Sequence, residues 1–201
     1  MPIWRLPEGK AREGKGILYL PDVIGIWQNS KLMADQYAAN GYLTLVLDEF
    51  NGDPLSLNRT GDFDFMGWLQ NGSDGKTRTP RKLSSVPLAT ALVPRWYVVR
   101  HYKDGIEVGY LAHPSFVDEE ELEAITGPLS IAAAETDDIF PAEKRHKSEE
   151  ILKKTGQPYQ INLYSGVSHG FSVRGKVEVQ VERFAKEQAF LQAVTWFNEF
   201  L

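Results

Sequence analysis

The sequence predicts an α/β fold in which helices cover both faces of a mostly parallel sheet. Three observations point there. Short apolar runs of strand length recur along the chain, bounded by Gly, Pro, Asn and Asp. Amphipathic segments with helix start and stop signals separate them. Most of the runs are apolar at successive positions instead of alternating, as strands buried on both faces must be. A chain of 201 residues suits one domain over 1–201, because burial rises with size and chains this long rarely split.

The elements follow in order. Residues 16–20 read as the first strand, entering a turn at Pro21-Asp22. Asn29 or Ser30 is expected to cap a helix through about Ala39, with Leu32, Met33, Tyr37 and Ala38 on one face and Gly41 as its stop. Residues 43–47 form a second apolar strand, and 62–69 a short helix. The stretch 70–81 is polar and without period. Residues 83–93 are apolar but interrupted by Pro87, so 70–95 is expected to be the least regular part. Helix 96–102 and strand 106–112 resume the pattern, and Asp118 caps an acidic helix through Ile125. Strand 129–134 precedes a helix with Pro141 at its first turn and Lys153 and Lys154 near its end. Strand 160–164 and a last helix over 180–201 complete the chain.

Composition narrows the function. The net charge of −5 gives no electrostatic case for nucleic acid or an anionic membrane surface. With no cysteine, disulfides and thiolate metal sites are excluded, and four histidines remain for any metal. No apolar run approaches the roughly 18 residues of a spanning helix, and the first ten residues lack a secretory core. A cytoplasmic enzyme or binding protein is the default expectation.

Two C-terminal segments carry chemistry: Ala-Ala-Ala-Glu-Thr-Asp-Asp-Ile-Phe-Pro over 132–141 and Tyr-Ser-Gly-Val-Ser-His-Gly-Phe over 164–171. Each follows a strand. Taken singly, His169 reads as an ordinary core or surface histidine, and Asp137 or Asp138 as a helix cap. Together, an acid after one strand and a histidine after the next match the back half of an α/β-hydrolase triad, whose chain order is nucleophile, acid, histidine. The acid would hold the imidazole tautomer and stabilise its charged form. Yet the chain has neither Gly-x-Ser-x-Gly nor a cysteine counterpart.

These residues resemble the dienelactone hydrolase family, especially its fungal members. The resemblance rests on Gly16-Ile-Leu-Tyr-Leu-Pro-Asp-Val-Ile-Gly, Phe50-Asn-Gly-Asp-Pro, Ala112-His-Pro-Ser-Phe, Glu135-Thr-Asp-Asp-Ile-Phe-Pro and Ser165-Gly-Val-Ser-His-Gly-Phe. It implies an α/β-hydrolase-like fold and hydrolysis of a small-molecule ester or lactone through a cysteine, without a cofactor. It further implies that Asp137 is the triad acid and His169 the base. Asp22 would contact the nucleophile, and the Val23 N–H would donate to the oxyanion. Arg174 resembles a carboxylate-binding arginine, displaced by one residue from the family's usual spacing. His113 belongs to a family motif without a triad role.

The resemblance fails over about 76–95. The family's elbow resembles Ile-Gly-Ala-Val-Gly-Tyr-Cys-Phe-Gly-Ala-Lys; this chain has Ser-Ser-Val-Pro-Leu-Ala-Thr-Ala-Leu-Val-Pro-Arg over 84–95. Leu88 and Leu92 flank Thr90 where the tight turn needs glycines, so Thr90 is set aside as a nucleophile. A one-base shift accounts for the substitution. Codons gcc gtt ggc tac tgc ttt ggt gcc aag encode Ala-Val-Gly-Tyr-Cys-Phe-Gly-Ala-Lys. Read from the second base, they encode Pro-Leu-Ala-Thr-Ala-Leu-Val-Pro and then Arg or Ser, the residues at 87–95. The fold is therefore expected to be truncated around the elbow and catalysis to be impaired. The alternative is a non-catalytic relative that binds a small molecule or partner in the old pocket. A Rossmann nucleotide site is disfavoured, since Asp22-Val-Ile-Gly-Ile-Trp offers one glycine.

Overall fold

A computed structural model describes residues 3–4, 15–48, 50, 52–57, 61–72, 88–91 and 106–201. The strands are β1 (Ile3–Trp4), β2 (Gly16–Tyr19), β3 (Leu43–Val46), β4 (Leu88–Ala91), β5 (Ile106–Ala112), β6 (Leu129–Thr136) and β7 (Tyr159–Ser168). The helices are α1 (Gln28–Ala39), α2 (Phe65–Asn71), α3 (Glu119–Glu123), α4 (Ala142–Thr155), α5 (Phe171–Arg174) and α6 (Gln180–Phe200). One sheet has the order β1-β3-β2-β4-β5-β6-β7, parallel throughout except for the antiparallel β1.

Burial explains the continuous apolar runs. Ile17 and Tyr19 face one core with Val108, Tyr110, Ala132 and Ala134, beneath α1 and α6. Leu18 and Leu20 face the opposite core with Leu111, Leu129, Ile131 and Ala133, beneath α3 and α4. Over 17–20, 108–112 and 129–134 neither face meets water, so neither carries a polar stripe. Gln192 is a buried exception in α6. Its amide donates to Ser130 Oγ (2.8 Å) and the Ile131 carbonyl (3.1 Å), and its oxygen accepts from Tyr164 O–H (2.8 Å), tying the helix to β6 and β7.

Helix boundaries depart from expectation by small, explicable steps. Trp27, and neither Asn29 nor Ser30, stands before the first helical residue of α1. The Asn29 amide instead reaches the Val173 carbonyl (2.8 Å), and the Ser30 hydroxyl reaches the Gly25 carbonyl (2.8 Å). Tertiary partners have taken the side chains that a local cap would use. Pro141 sits one position earlier than expected, as the extended residue before α4. Asp64 caps α2 by accepting from the Gly67 N–H at 2.9 Å, which starts that helix later than expected. Within the irregular stretch, Leu88–Ala91 is a sheet strand, pairing β2 on one side and β5 on the other. The expected helix at 96–102 and, except for 88–91, the elbow segment 84–95 lie outside the described residues.

The end of the β6–β7 ladder matters most for chemistry. Ala134 pairs with Tyr164, but Thr136 pairs with Ser168, so β7 carries two extra residues there. Gly166 takes them round the bulge at φ 71°, its N–H donating to Glu135 Oε2 at 2.6 Å. Pairing resumes with the His169 N–H on the Thr136 carbonyl at 3.1 Å. The chain positions immediately after both strands are thus set side by side.

Candidate active site

Those positions hold Asp137 and His169. His169 Nδ1 lies 2.8 Å from Asp137 Oδ2. The other carboxylate oxygen, Oδ1, accepts from the backbone N–H groups of Ile139 and Phe140, both at 2.9 Å. The carboxylate is therefore fixed by its own turn before it meets the imidazole. Burial pushes the Asp137 carboxyl up. The hydrogen bonds from His169, Phe140 and Ile139 outweigh that and hold it below the ordinary carboxylate value. An ionised carboxylate only accepts, so in the neutral ring the proton sits on Nδ1 and the lone pair on Nε2. His169 presents an oriented base.

Nε2 faces Ser115 Oγ at 3.3 Å. Ser115 lies in the loop after β5, on a backbone that includes two left-handed non-glycine residues, His113 (φ 39°) and Phe116 (φ 53°). Each such residue costs on the order of 1–3 kcal/mol and persists only where the surroundings over-determine it. The His113 N–H is held by the Ala132 carbonyl at 2.7 Å. Its buried ring meets Ser172 Oγ at 2.8 Å through Nε2 and stands edge-on to His169, with centroids 5.0 Å apart. Burial, then the neighbouring His169 and Arg174, drive the His113 pKa well below the ordinary histidine value. His113 is a neutral packing wedge beneath the pair.

Asp22 and Val23 follow β2. Asp22 Oδ1 accepts from the Ile24 N–H at 3.1 Å, and Oδ2 lies 3.1 Å from Arg174 Nε. Arg174 stands at the end of α5 with its guanidinium over Gly170, whose φ of 92° and missing side chain make the space. The structure thus joins two residues that the sequence placed in separate roles. The Val23 carbonyl accepts from the Leu55 N–H at 2.8 Å, while its own N–H meets no acceptor among the described residues. Thr90 lies in mid-sheet within β4. Sequence reasoning passed over Ser115 and Ser172. Ser115 was visible only as one letter of Ala112-His-Pro-Ser-Phe, and nothing local marks it. Its place against His169 comes from β5, β6 and β7 being consecutive in the sheet.

Among the described residues no group of three or more His, Asp or Glu side chains could hold a metal ion, and no helix is long and apolar enough to cross a membrane. Comparison with known proteins agrees with the architecture. The profile of the dienelactone hydrolase family matches residues 96–201. Hydrolase tropI of Talaromyces stipitatus is 45% identical, the alignment covering 97% of this chain and 85% of that protein. Dienlactone hydrolase 1 of Gibberella moniliformis is 30% identical over 97% of this chain and 82% of its own length. A solved dienelactone hydrolase-like promiscuous phosphotriesterase from metagenomic libraries shares the fold, with a TM-score of 0.68, 14% identity and coverage of 97% and 90%.

Proposed function

Because the chain belongs to the dienelactone hydrolase family, we propose that it hydrolyses small ester or lactone bonds, with Asp137 and His169 as its acid–base pair and with turnover held low by the missing cysteine. The observation that carries this reading is the 2.8 Å contact between His169 Nδ1 and a carboxylate fixed by two backbone donors. That arrangement has little structural purpose at a sheet edge, but it is what a general base requires. In the same proposal the Val23 N–H stabilises the developing oxyanion, and the Asp22–Arg174 pair flanks the substrate, Arg174 favouring one that carries a carboxylate. The cytoplasm as the working compartment belongs to this proposal too and rests on composition.

Loss of a triad nucleophile costs on the order of a million-fold in serine proteases, and binding and oxyanion stabilisation account for what is left. The one-base shift over residues 84–95 is our account of the loss, supported by its match to residues 87–95. The genomic DNA across those codons decides it, since a shifted frame must yield a cysteine between glycines. Activity is tested with 4-nitrophenyl acetate and dihydrocoumarin. We expect slow turnover that His169→Ala abolishes and that Asp137→Asn lowers by on the order of 10³-fold or more through the wrong tautomer. Turnover equal in the wild type and H169A overturns the proposal, and no turnover in either leaves a chain that only binds.

A further inference from the structure

We propose that Ser115 is the acyl-accepting nucleophile of this chain. The inference rests on the acid–base reading of Asp137 and His169 and supplies the group that reading lacks. Three observations point to it. Ser115 Oγ faces His169 Nε2 at 3.3 Å, and the opposite ring nitrogen is on Asp137 at 2.8 Å. Hydroxyl, imidazole and carboxylate therefore stand in the linear relay that nucleophilic catalysis by serine requires. A serine–imidazole contact of this length is usual before substrate binds and tightens in the complex. Next, the hydroxyl is within reach of a ligand. Ser115 is part-exposed and the His169 side chain is 22% exposed, whereas Ser172, the hydroxyl on the second imidazole, is 3% exposed. Last, Ser115 is followed directly by Phe116 at φ 53° and preceded two residues earlier by His113 at φ 39°. Strain of that kind concentrates where a side chain must be aimed.

The order along the chain is Ser115, Asp137, His169, the order nucleophile–acid–histidine of this architecture. The origin differs: Ser115 follows β5, one strand nearer the acid than β4. In the first half-reaction His169 Nε2 takes the Ser115 hydroxyl proton as Oγ bonds to the ester carbonyl carbon, and the carbonyl π pair moves onto oxygen. As that pair returns, the bond to the leaving alkoxide breaks, and the alkoxide takes the proton from Nε2. In the second half-reaction water gives its proton to Nε2 and adds to the acyl carbon. The bond to Oγ then breaks, the carboxylic acid departs, and Oγ recovers the proton. One ester and one water become one acid and one alcohol.

The chain contains no cysteine, so Ser115→Cys places the protein's single thiol on this spot. An imidazole held by a carboxylate draws such a thiol toward thiolate. We expect S115C to be alkylated by iodoacetamide at pH 7 at least about 10-fold faster than S115C combined with H169A, with a thiol titration midpoint shifted below the ordinary ~8.5 in the former alone. In the wild type, diisopropyl fluorophosphate should label the peptide that carries Ser115, and S115A should lose both the label and the slow ester turnover while keeping its circular dichroism spectrum. Turnover that survives in S115A but not in H169A overturns the serine nucleophile and leaves the acid–base reading standing. Turnover indifferent to both substitutions overturns the two together. Equal alkylation rates in the two cysteine variants also overturn the serine nucleophile, whatever the folding of S115A.

Discussion

His169 gives its two ring nitrogens to unlike partners, a buried carboxylate at 2.8 Å and a hydroxyl at 3.3 Å, and so acquires a direction. Its neighbour His113 has the opposite character. Desolvation first, then His169 and Arg174, keep it uncharged, with Asp137 opposing and Ser172 bonded to its Nε2. A base whose pKa is depressed on folding takes up its proton in the unfolded chain first. Its contribution to stability is whole above the unfolded value of about 6.5 and is lost as pH falls through the folded value. Melting temperature should therefore decline from about pH 6.5 downward, and His113→Gln should remove that part of the decline. A profile flat from pH 7.5 to 5, or a slope unchanged in H113Q, contradicts it. Asp137 adds its own loss only at lower pH, because its folded pKa lies below the ordinary carboxylate value. Asp137 and His169 were legible in the sequence because strand, turn and acid or imidazole occur together. Ser115 was not, since a serine between a proline and a phenylalanine has no local signature. Nor was the Asp22–Arg174 contact, which joins residues 152 positions apart (174 − 22).

The bulge in β7 turns a strand pairing into a hydrogen-bonded contact between an acid and an imidazole. Were the bulge's two extra residues paired in register instead of bulged out, the chain after Ala134 and Tyr164 would run on and His169 would fall opposite position 139, past Asp137. Gly166 is its pivot: at φ 71° a side chain is strained, and an added Cβ would stand 3.0 Å from Val181 Cγ2. Gly166→Val should cost about 1–3 kcal/mol by urea unfolding and lower ester turnover by more than that loss of folded protein explains. Wild-type stability in G166V would show that the bulge tolerates other backbones. Strands that bury both faces announced themselves in the sequence, as residues 129–134 did through a run that only Ser130 interrupts. The bulge did not, because Tyr-Ser-Gly-Val-Ser reads equally as a turn leaving the strand. β4 was hidden by the opposite problem. Its Leu-Ala-Thr-Ala has a single β-branched residue and no alternation, and only the strands on both sides make it one.

Across the whole molecule, α6 is what gathers the C-terminal strands. Phe197 is fully buried and meets Tyr37, Tyr42 and Tyr110 with ring centroids 6.2 Å apart in each case, while Tyr110 O–H donates to the Ala189 carbonyl at 2.7 Å. Phe197→Ala should cost about 3–5 kcal/mol, read as a lowered denaturant midpoint at unchanged slope. A loss under about 1 kcal/mol would mean that the three tyrosines pack adequately without it. The sheet order was expected only as mostly parallel. Parallel pairing follows from the alternation of strands and helices, whereas which strand lies beside which depends on crossovers that no local pattern records.

The placement of β4 beside β5, with Asp137 and His169 two and three strands away from it, has a consequence for how such a site can change over time. The imidazole takes its orientation from β6, β7 and the Glu135–Gly166 clasp, whereas β4 pairs with β2 and β5. A lesion confined to the codons of residues 84–95, as proposed above, would delete one chemical function and leave the Asp137–His169 contact standing. Under that proposal the pair would be a constant host on which attacking atoms are exchanged, a thiol for a hydroxyl or one loop for its neighbour, each change judged by selection without first rebuilding the base.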